Sequence, residues 1–187
     1  LSFIDTADSY GTGVFNGRSE ILLGDLIQDL PSSKKEKITM ATKLAPYPWR
    51  LGRKGFHNAF LLSKKRLKGK LDRVQLHWST ARYAPWQESA LLDGLGDLME
   101  QGDIKGIGVS NVGPKRLKWM HSRLACRGLS IKSLQIQFSL LAPTIAEDKE
   151  ISSICKDLNI DLIAYSPLAL GVLALSPENC SEKNISS

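Results

Sequence analysis

Short apolar runs alternate with longer amphipathic stretches along the chain. The runs are Ser2–Ile4, Ile38–Thr42, Arg73–Trp78, Ile104–Val109, Leu134–Ser139 and Asp161–Tyr165. Each has strand length and is rich in Ile, Val, Leu or aromatic residues. Between them, apolar residues recur at helical spacing. Leu22, Leu23, Leu26, Ile27 and Leu30 define a first helix that Ser19 can cap and Pro31 ends. A second covers Phe56–Leu67, and a third runs from Trp86 to Gln101 with Gly102 as its stop. A fourth begins near Pro114, aligns Leu117, Met120 and Leu124, and stops before Gly128; a fifth spans Ala146–Leu158.

Strands that alternate with helices predict a parallel sheet, because parallel neighbours need crossover connections. An open doubly wound sheet and a barrel share that pattern. The placement of polar residues separates them. Asp5, Lys43, His77, Ser110, Asn111, Gln135, Tyr165 and Ser166 stand at the carboxyl ends of nearly all the runs. In a barrel those ends converge on one mouth, whereas an open sheet concentrates its chemistry at a switch point. The expected fold is therefore α/β: an incomplete TIM (β/α)8 barrel with about six of the eight strands. Leu1 is not a start methionine, and the first run reads as a strand already under way, so the chain reads as a piece of a longer barrel.

The segment Phe3-Ile4-Asp5-Thr6-Ala7-Asp8-Ser9-Tyr10-Gly11 resembles the active-site segment of the aldo-keto reductases. Ala41-Thr42-Lys43, Gln75-Leu76-His77-Trp78, Gly106-Ile107-Gly108-Val109-Ser110-Asn111, Gln135 within Leu134–Leu141, and Ala164-Tyr165-Ser166-Pro167-Leu168 continue the match in family order. The resemblance extends through about residue 173 and makes the six strands the second to seventh of the barrel. It leaves residues 174–187 as a polar tail, expected to be disordered.

The resemblance implies a catalytic set of Asp5, Tyr10, Lys43 and His77. Carbonyl reduction needs a hydride donor and a proton donor. A phenol is a weak acid with a reference pKa of about 10, and a neighbouring ammonium favours the phenolate, which pairs Lys43 with Tyr10. Asp5 can hold Lys43, and His77 can orient the carbonyl. Taken alone, Asp5 and Lys43 would read as a structural ion pair and His77 as a satisfied core histidine; the motif context favours catalysis. The implied cofactor is NADPH. Ser110, Asn111 and Gln135 would bind its carboxamide, Tyr165 would offer a flat face to the nicotinamide ring, and Ser166 with the loop through Leu168 would approach the pyrophosphate. Gly106-x-Gly108 is not a dinucleotide fingerprint, since Asn111 stands where a third glycine belongs.

Composition narrows the classes. The chain has 187 residues, 42% hydrophobic and 24% charged, which suits one globular domain. No apolar run approaches ~18 residues, so no membrane span is expected. The net charge of +6 suits anionic ligands. The basic run Lys64–Lys70 lacks an accompanying aromatic platform and reads as a solvated helix end, so no nucleic-acid partner is expected. Cys126, Cys155 and Cys180 are odd in number and lack metal-ligand spacing, which points to a reducing compartment. The sequons at Asn179 and Asn184 have no other sign of secretion beside them.

Several loops resemble a narrower branch of the family, the plant chloroplast members that reduce pyridoxal to pyridoxine with NADPH. They are Thr6–Gly13, Ala45–Leu51, His77–Pro85 and Gln135–Leu141. This resemblance implies a small-molecule aldehyde substrate and a chloroplast location, and leaves the oligomeric state open. Trp49 and Trp78 are candidate walls of an aromatic pocket, with Tyr83 and Trp86 behind them. The basic segment with which the family grips the adenosine 2′-phosphate is missing from this sequence. Two other readings stand beside the reductase: a cofactor-binding module like the potassium-channel β subunits, and an inactive truncated product.

Overall fold

The computed structural model describes residues 2–11, 17–143 and 149–175. Each apolar run forms a strand: β1 (Phe3–Ala7), β2 (Thr39–Leu44), β3 (Arg73–Leu76), β4 (Gly106–Ser110), β5 (Ile131–Gln137) and β6 (Asp161–Tyr165). Helices separate them: α1 (Arg18–Gln28), α2 (Ser32–Lys35), α3 (Gly52–Arg66), α4 (Pro85–Glu100), α5 (Pro114–Ala125) and α6 (Lys149–Asp157). A 3-10 helix follows β6 at Ala169–Ala174.

The strand order is β1-β2-β3-β4-β5-β6, and every pair is parallel. A doubly wound sheet reverses its order part-way; this one never does. Right-handed crossovers then place all helices on one face. The other face becomes the inside of a partial (β/α)8 barrel. Helix-facing Met40, Leu44, Val74, Leu76, Ile107, Val109 and Leu134 are buried, and they belong to one cluster with Phe56 and Phe60 of α3, Leu91, Leu95 and Leu98 of α4, and Leu117, Met120 and Leu124 of α5. Each such side chain contributes roughly 1.5–3 kcal/mol by burial.

Polar bonds fix the helices to that core. Glu20 of α1 is fully buried and accepts from Thr42 Oγ1 of β2 and Arg66 Nε of α3, both at 2.5 Å. Asp93 of α4 accepts from Arg53 of α3 at 2.8 Å and from Arg123 of α5 at 2.9 and 2.8 Å. Burial opposes its ionisation, but the Arg123 and Arg53 hydrogen bonds outweigh that and hold the carboxyl below its ordinary range.

Some local expectations change. Ser19 does not cap α1: Gly17 occupies the N-cap in the left-handed region, and the Ser19 hydroxyl bonds Thr6 Oγ1 at 2.8 Å. Pro31 follows the end of α1 but also starts α2, where its fixed φ suits the N-cap. α3 begins at Gly52, four residues before its first buried aromatic, Phe56. β5 begins at Ile131, three residues before Leu134, because Ser133 faces the barrel interior and is buried there. Ala146–Asp148, Asn179 and Asn184 lie outside the described residues. The tail expected at 174–187 has only Ala174 and Leu175 within them.

Candidate active site

The inward residues of adjacent strands form a layer. Cα register aligns Ala7 with Lys43, Lys43 with Gln75, Gln75 with Gly108, and Gly108 with Ser133. Gly108 leaves the space its neighbours fill. A Cβ there would lie 2.6 Å from Ser133 Oγ and 2.7 Å from Gln75 Cγ. The packed layer contains Lys43 and Gln75, both of which bond Asp5.

Asp5 is the hub. Its Oδ2 takes a short charge-assisted bond from the Lys43 ammonium and a 2.8 Å bond from Gln135 Nε2, while Oδ1 accepts from Gln75 Nε2 at 2.7 Å. Lys43 is one of the largest fully buried side chains, so this pairing is what makes its charge tolerable in the interior. Its Nζ lies 5.0 Å from the centroid of the Tyr10 ring. Tyr10 is 44% exposed and meets the His77 ring edge-on at 5.9 Å.

His77 follows β3, and its backbone N–H donates to Leu44 O. Nδ1 lies 3.2 Å from Ser9 Oγ. Burial lowers its pKa to about 4, and the Lys43 charge adds to the effect, so the imidazole is neutral at physiological pH. When Ser9 donates to Nδ1, Nε2 carries the proton and is the donor.

Asn111 adopts a positive φ of 56°, and its backbone N–H donates to Gln135 O at 3.0 Å. Its amide nitrogen reaches Ser110 Oγ at 3.1 Å and His77 O at 3.4 Å, while its carbonyl oxygen accepts from Tyr165 OH at 2.9 Å. A cavity of about 200 Å³ is lined by Tyr10, Lys43, His77, Ser110, Asn111, Gln135 and Tyr165. Seven candidate residues from six successive strand ends thus share one small space, with Asp5 bonded directly to Lys43.

The other candidates lie apart from that cavity. Ser166, at φ 51°, opens the turn after β6, and its carbonyl accepts from Ala169 N. Leu168 is exposed beside the 3-10 helix. Trp49 is 73% exposed and stacks on Tyr47 with centroids 4.6 Å apart. Trp78 touches His77, at 4.8 Å between ring centroids, but lines a neighbouring groove rather than the cavity. Tyr83 accepts from Trp78 Nε1 and donates to Pro46 O, each at 2.9 Å, so it braces the loops after β2 and β3.

Four supporting residues escaped the sequence reading: Gln75, Ser9, Asp8 and Arg50. Asp8 has a fully buried side chain that receives the Arg50 guanidinium and, at 3.1 Å, Ala45 N. This joins the loop carrying Tyr10 to the loop after β2. Burial raises the pKa of Asp8, and the Arg50 charge counters it only in part. Proximity to the Tyr10 motif was the available signal for Asp8 and Ser9; Arg50 and Gln75 resembled ordinary loop and strand polar residues.

The sequence profile of the aldo/keto reductase family matches residues 1–184. The chain is 49% identical over 176 residues to "Pyridoxal reductase, chloroplastic" of Arabidopsis thaliana, covering 92% of this chain and 48% of that protein. It is 32% identical to an uncharacterized oxidoreductase of Mycobacterium tuberculosis, with the same coverages. The chain thus spans about half the length of these curated relatives. In fold it matches the crystal structure of an aldo/keto reductase from Brucella melitensis with a TM-score of 0.71 at 24% identity, covering 100% of this chain and 66% of that one. An aldo-keto reductase from a deep-sea metagenome library matches at TM-score 0.70 and 24% identity, over 94% of this chain and 59% of that one.

Proposed function

This chain belongs to the aldo/keto reductase family, and we propose on that basis that the full-length protein reduces an aldehyde to an alcohol with NADPH, its substrate being pyridoxal and its product pyridoxine. The carrying observation is the single cavity that gathers Tyr10, Lys43 and His77. Resemblance to a chloroplastic pyridoxal reductase supports the substrate and a chloroplast location.

The donor set suits a nicotinamide. Ser110 and Asn111 offer a hydroxyl and an amide at the cavity wall, and Tyr165 offers a ring. Gln135 spends its N–H on Asp5 and keeps its carbonyl oxygen to accept from a carboxamide. Ser166 and Leu168 stand on the loop assigned to the pyrophosphate. When bound, the reduced nicotinamide supplies the hydride. Tyr10 gives its phenolic proton to the carbonyl oxygen, and Lys43 stabilises the phenolate left behind. Asp5 holds Lys43 against the ring. Neutral His77 donates a hydrogen bond to the same oxygen and orients it.

The test is NADPH oxidation by the full-length protein with pyridoxal, with pyridoxine identified chromatographically. A higher kcat/KM for butanal than for pyridoxal would reject the substrate assignment. Failure to reduce any aldehyde would reject the reductase reading.

A further inference from the structure

Beside the catalytic cavity lies a larger groove of about 620 Å³, and the two share Asn111. The groove lies between the loop after β3 and the start of α5. Trp78 and Trp119 are among its walls, and Arg82, Lys115 and Arg116 supply three cations; among the described residues no Asp or Glu lines it. Both elements sit mid-sheet, away from β1 and β6 at its two ends.

The charges divide clearly. Arg116 is already committed: it pairs with the fully buried Glu88, and its guanidinium lies 4.4 Å from the Trp119 ring centroid. Arg82 and Lys115 are exposed and have no ion-pair partner among the described residues. Two positive charges therefore face the groove without compensation. The first turn of α5 adds to them, since its N-cap, Gly113, provides no side-chain bond to the helix N–H groups. The aromatic walls are braced as well: the Trp78 indole N–H is held by Tyr83, and Trp119 by Arg116.

We propose that this groove seats an anionic substituent, carboxylate or phosphate ester, of a flat aldehyde whose carbonyl enters the Tyr10 cavity, with Arg82 and Lys115 as the residues that recognise it. The proposal rests on the reductase reading for its carbonyl end and extends it beyond pyridoxal, which carries neither group, to anionic aldehydes. The anion end depends on the groove alone. Trp78 meets His77 with ring centroids 4.8 Å apart and also lines the groove, and both spaces share Asn111, so a planar molecule laid along the Trp78 ring would span the two.

The test compares the full-length protein acting on 4-carboxybenzaldehyde and on its neutral methyl ester, with 4-formylphenyl phosphate as the second anion. The expected result is a preference of about tenfold in kcat/KM for an anion, carried by KM and weakened by salt. Comparing the carboxylate with the phosphate identifies which group the site prefers. The preference should collapse in Arg82→Ala/Lys115→Ala and persist in Arg82→Lys. Equal use of acid and ester, or a preference surviving the double substitution, overturns the proposal. Titration with phenyl phosphate, followed at the indole N–H resonances of Trp78 and Trp119, tests the groove without turnover. Shifts that vanish in the double variant support the anion site even if no aldehyde is reduced, an outcome that would reject only the carbonyl end. Absence of shifts in the unsubstituted protein rejects the groove.

Discussion

Gln135 donates to the same Asp5 oxygen that receives the Lys43 ammonium, although 130 residues separate Gln135 from Asp5 in the chain. A side chain assigned by resemblance to the nicotinamide thus also fixes the carboxylate behind Lys43. Gln75 holds the other oxygen. Asp5 is aimed by two amides and one cation.

Gln75→Leu should expose what that aim is worth. The variant is similar in size and leaves Asp5 Oδ1 without its 2.7 Å donor. Asp5 is half-buried, so stranding this acceptor should cost about 1 kcal/mol, the low end for an unsatisfied polar group. Urea denaturation should report that loss, and kcat should fall several-fold while KM for NADPH changes little. A lower stability with unchanged kcat would make Gln75 structural only.

Tyr10→Phe should reduce turnover by about a hundredfold or more, because it removes the proposed proton donor. Cofactor binding, followed by fluorescence titration, should persist. Lys43→Met should also cripple kcat, since it removes the charge 5.0 Å from the ring centroid. Near-normal turnover in either variant would remove that residue from the assigned chemistry.

His77 sets a pH signature. Its pKa falls from 6.5 to about 4 in the fold, so the unfolded chain binds more protons between those values. Its contribution to stability is complete above pH 6.5 and is lost as pH falls toward 4. The difference in urea midpoint between the unsubstituted protein and His77→Gln should shrink over that window. Protonation of His77 should impair kcat/KM near pH 4 rather than near 6.5. An acid limb centred at 6.5 that disappears in His77→Gln would contradict a neutral, half-buried imidazole.

Asp8→Ala should cost about 3–5 kcal/mol, the usual effect of removing one partner from a buried ion pair. It strands Arg50 and releases the Ala45 N–H, loosening the attachment of the Tyr10 loop to the loop after β2. Thermal denaturation measures the loss; the Asp8→Ala/Arg50→Met double variant should recover part of it.

Gly108→Ala should destabilise by about 1–3 kcal/mol through overpacking. The added methyl meets Ser133 Oγ at 2.6 Å and Gln75 Cγ at 2.7 Å. Ser133→Gly in the same chain should relieve one of those contacts and raise the denaturation midpoint again.

The helix-facing half of the fold was legible because water drives its pattern: Val74, Leu76, Ile107 and Val109 alternate as a buried strand face should. The barrel-facing half was less so. Lys132 and Ser133 hid the start of β5, since Ser133 is an interior residue whose polarity suggests a surface. Asp5, Tyr10, Lys43 and His77 stood out through motif order, and three of them line one cavity with the fourth bonded to Lys43. Their supports did not stand out. Whether Gln75, Arg50 or Glu20 is buried, and against what, depends on register between strands and helices distant in sequence. Trp49 shows the converse: an aromatic residue after a strand suggested a pocket wall, yet it lies on the outside of Tyr47.

The sequential strand order also sets a timetable for folding. Because each strand pairs with the one just before it, the sheet can grow by addition from its amino-terminal edge as the chain emerges during synthesis. The helix-facing core can accumulate in the same order. Asp5, however, waits for Gln135, which arrives five strands into the sheet. Closing a contact of such long range carries a loop-entropy cost that local pairings avoid. The layer around Asp5 is therefore completed late, so a nascent chain can bury much of its apolar surface well before the candidate site exists.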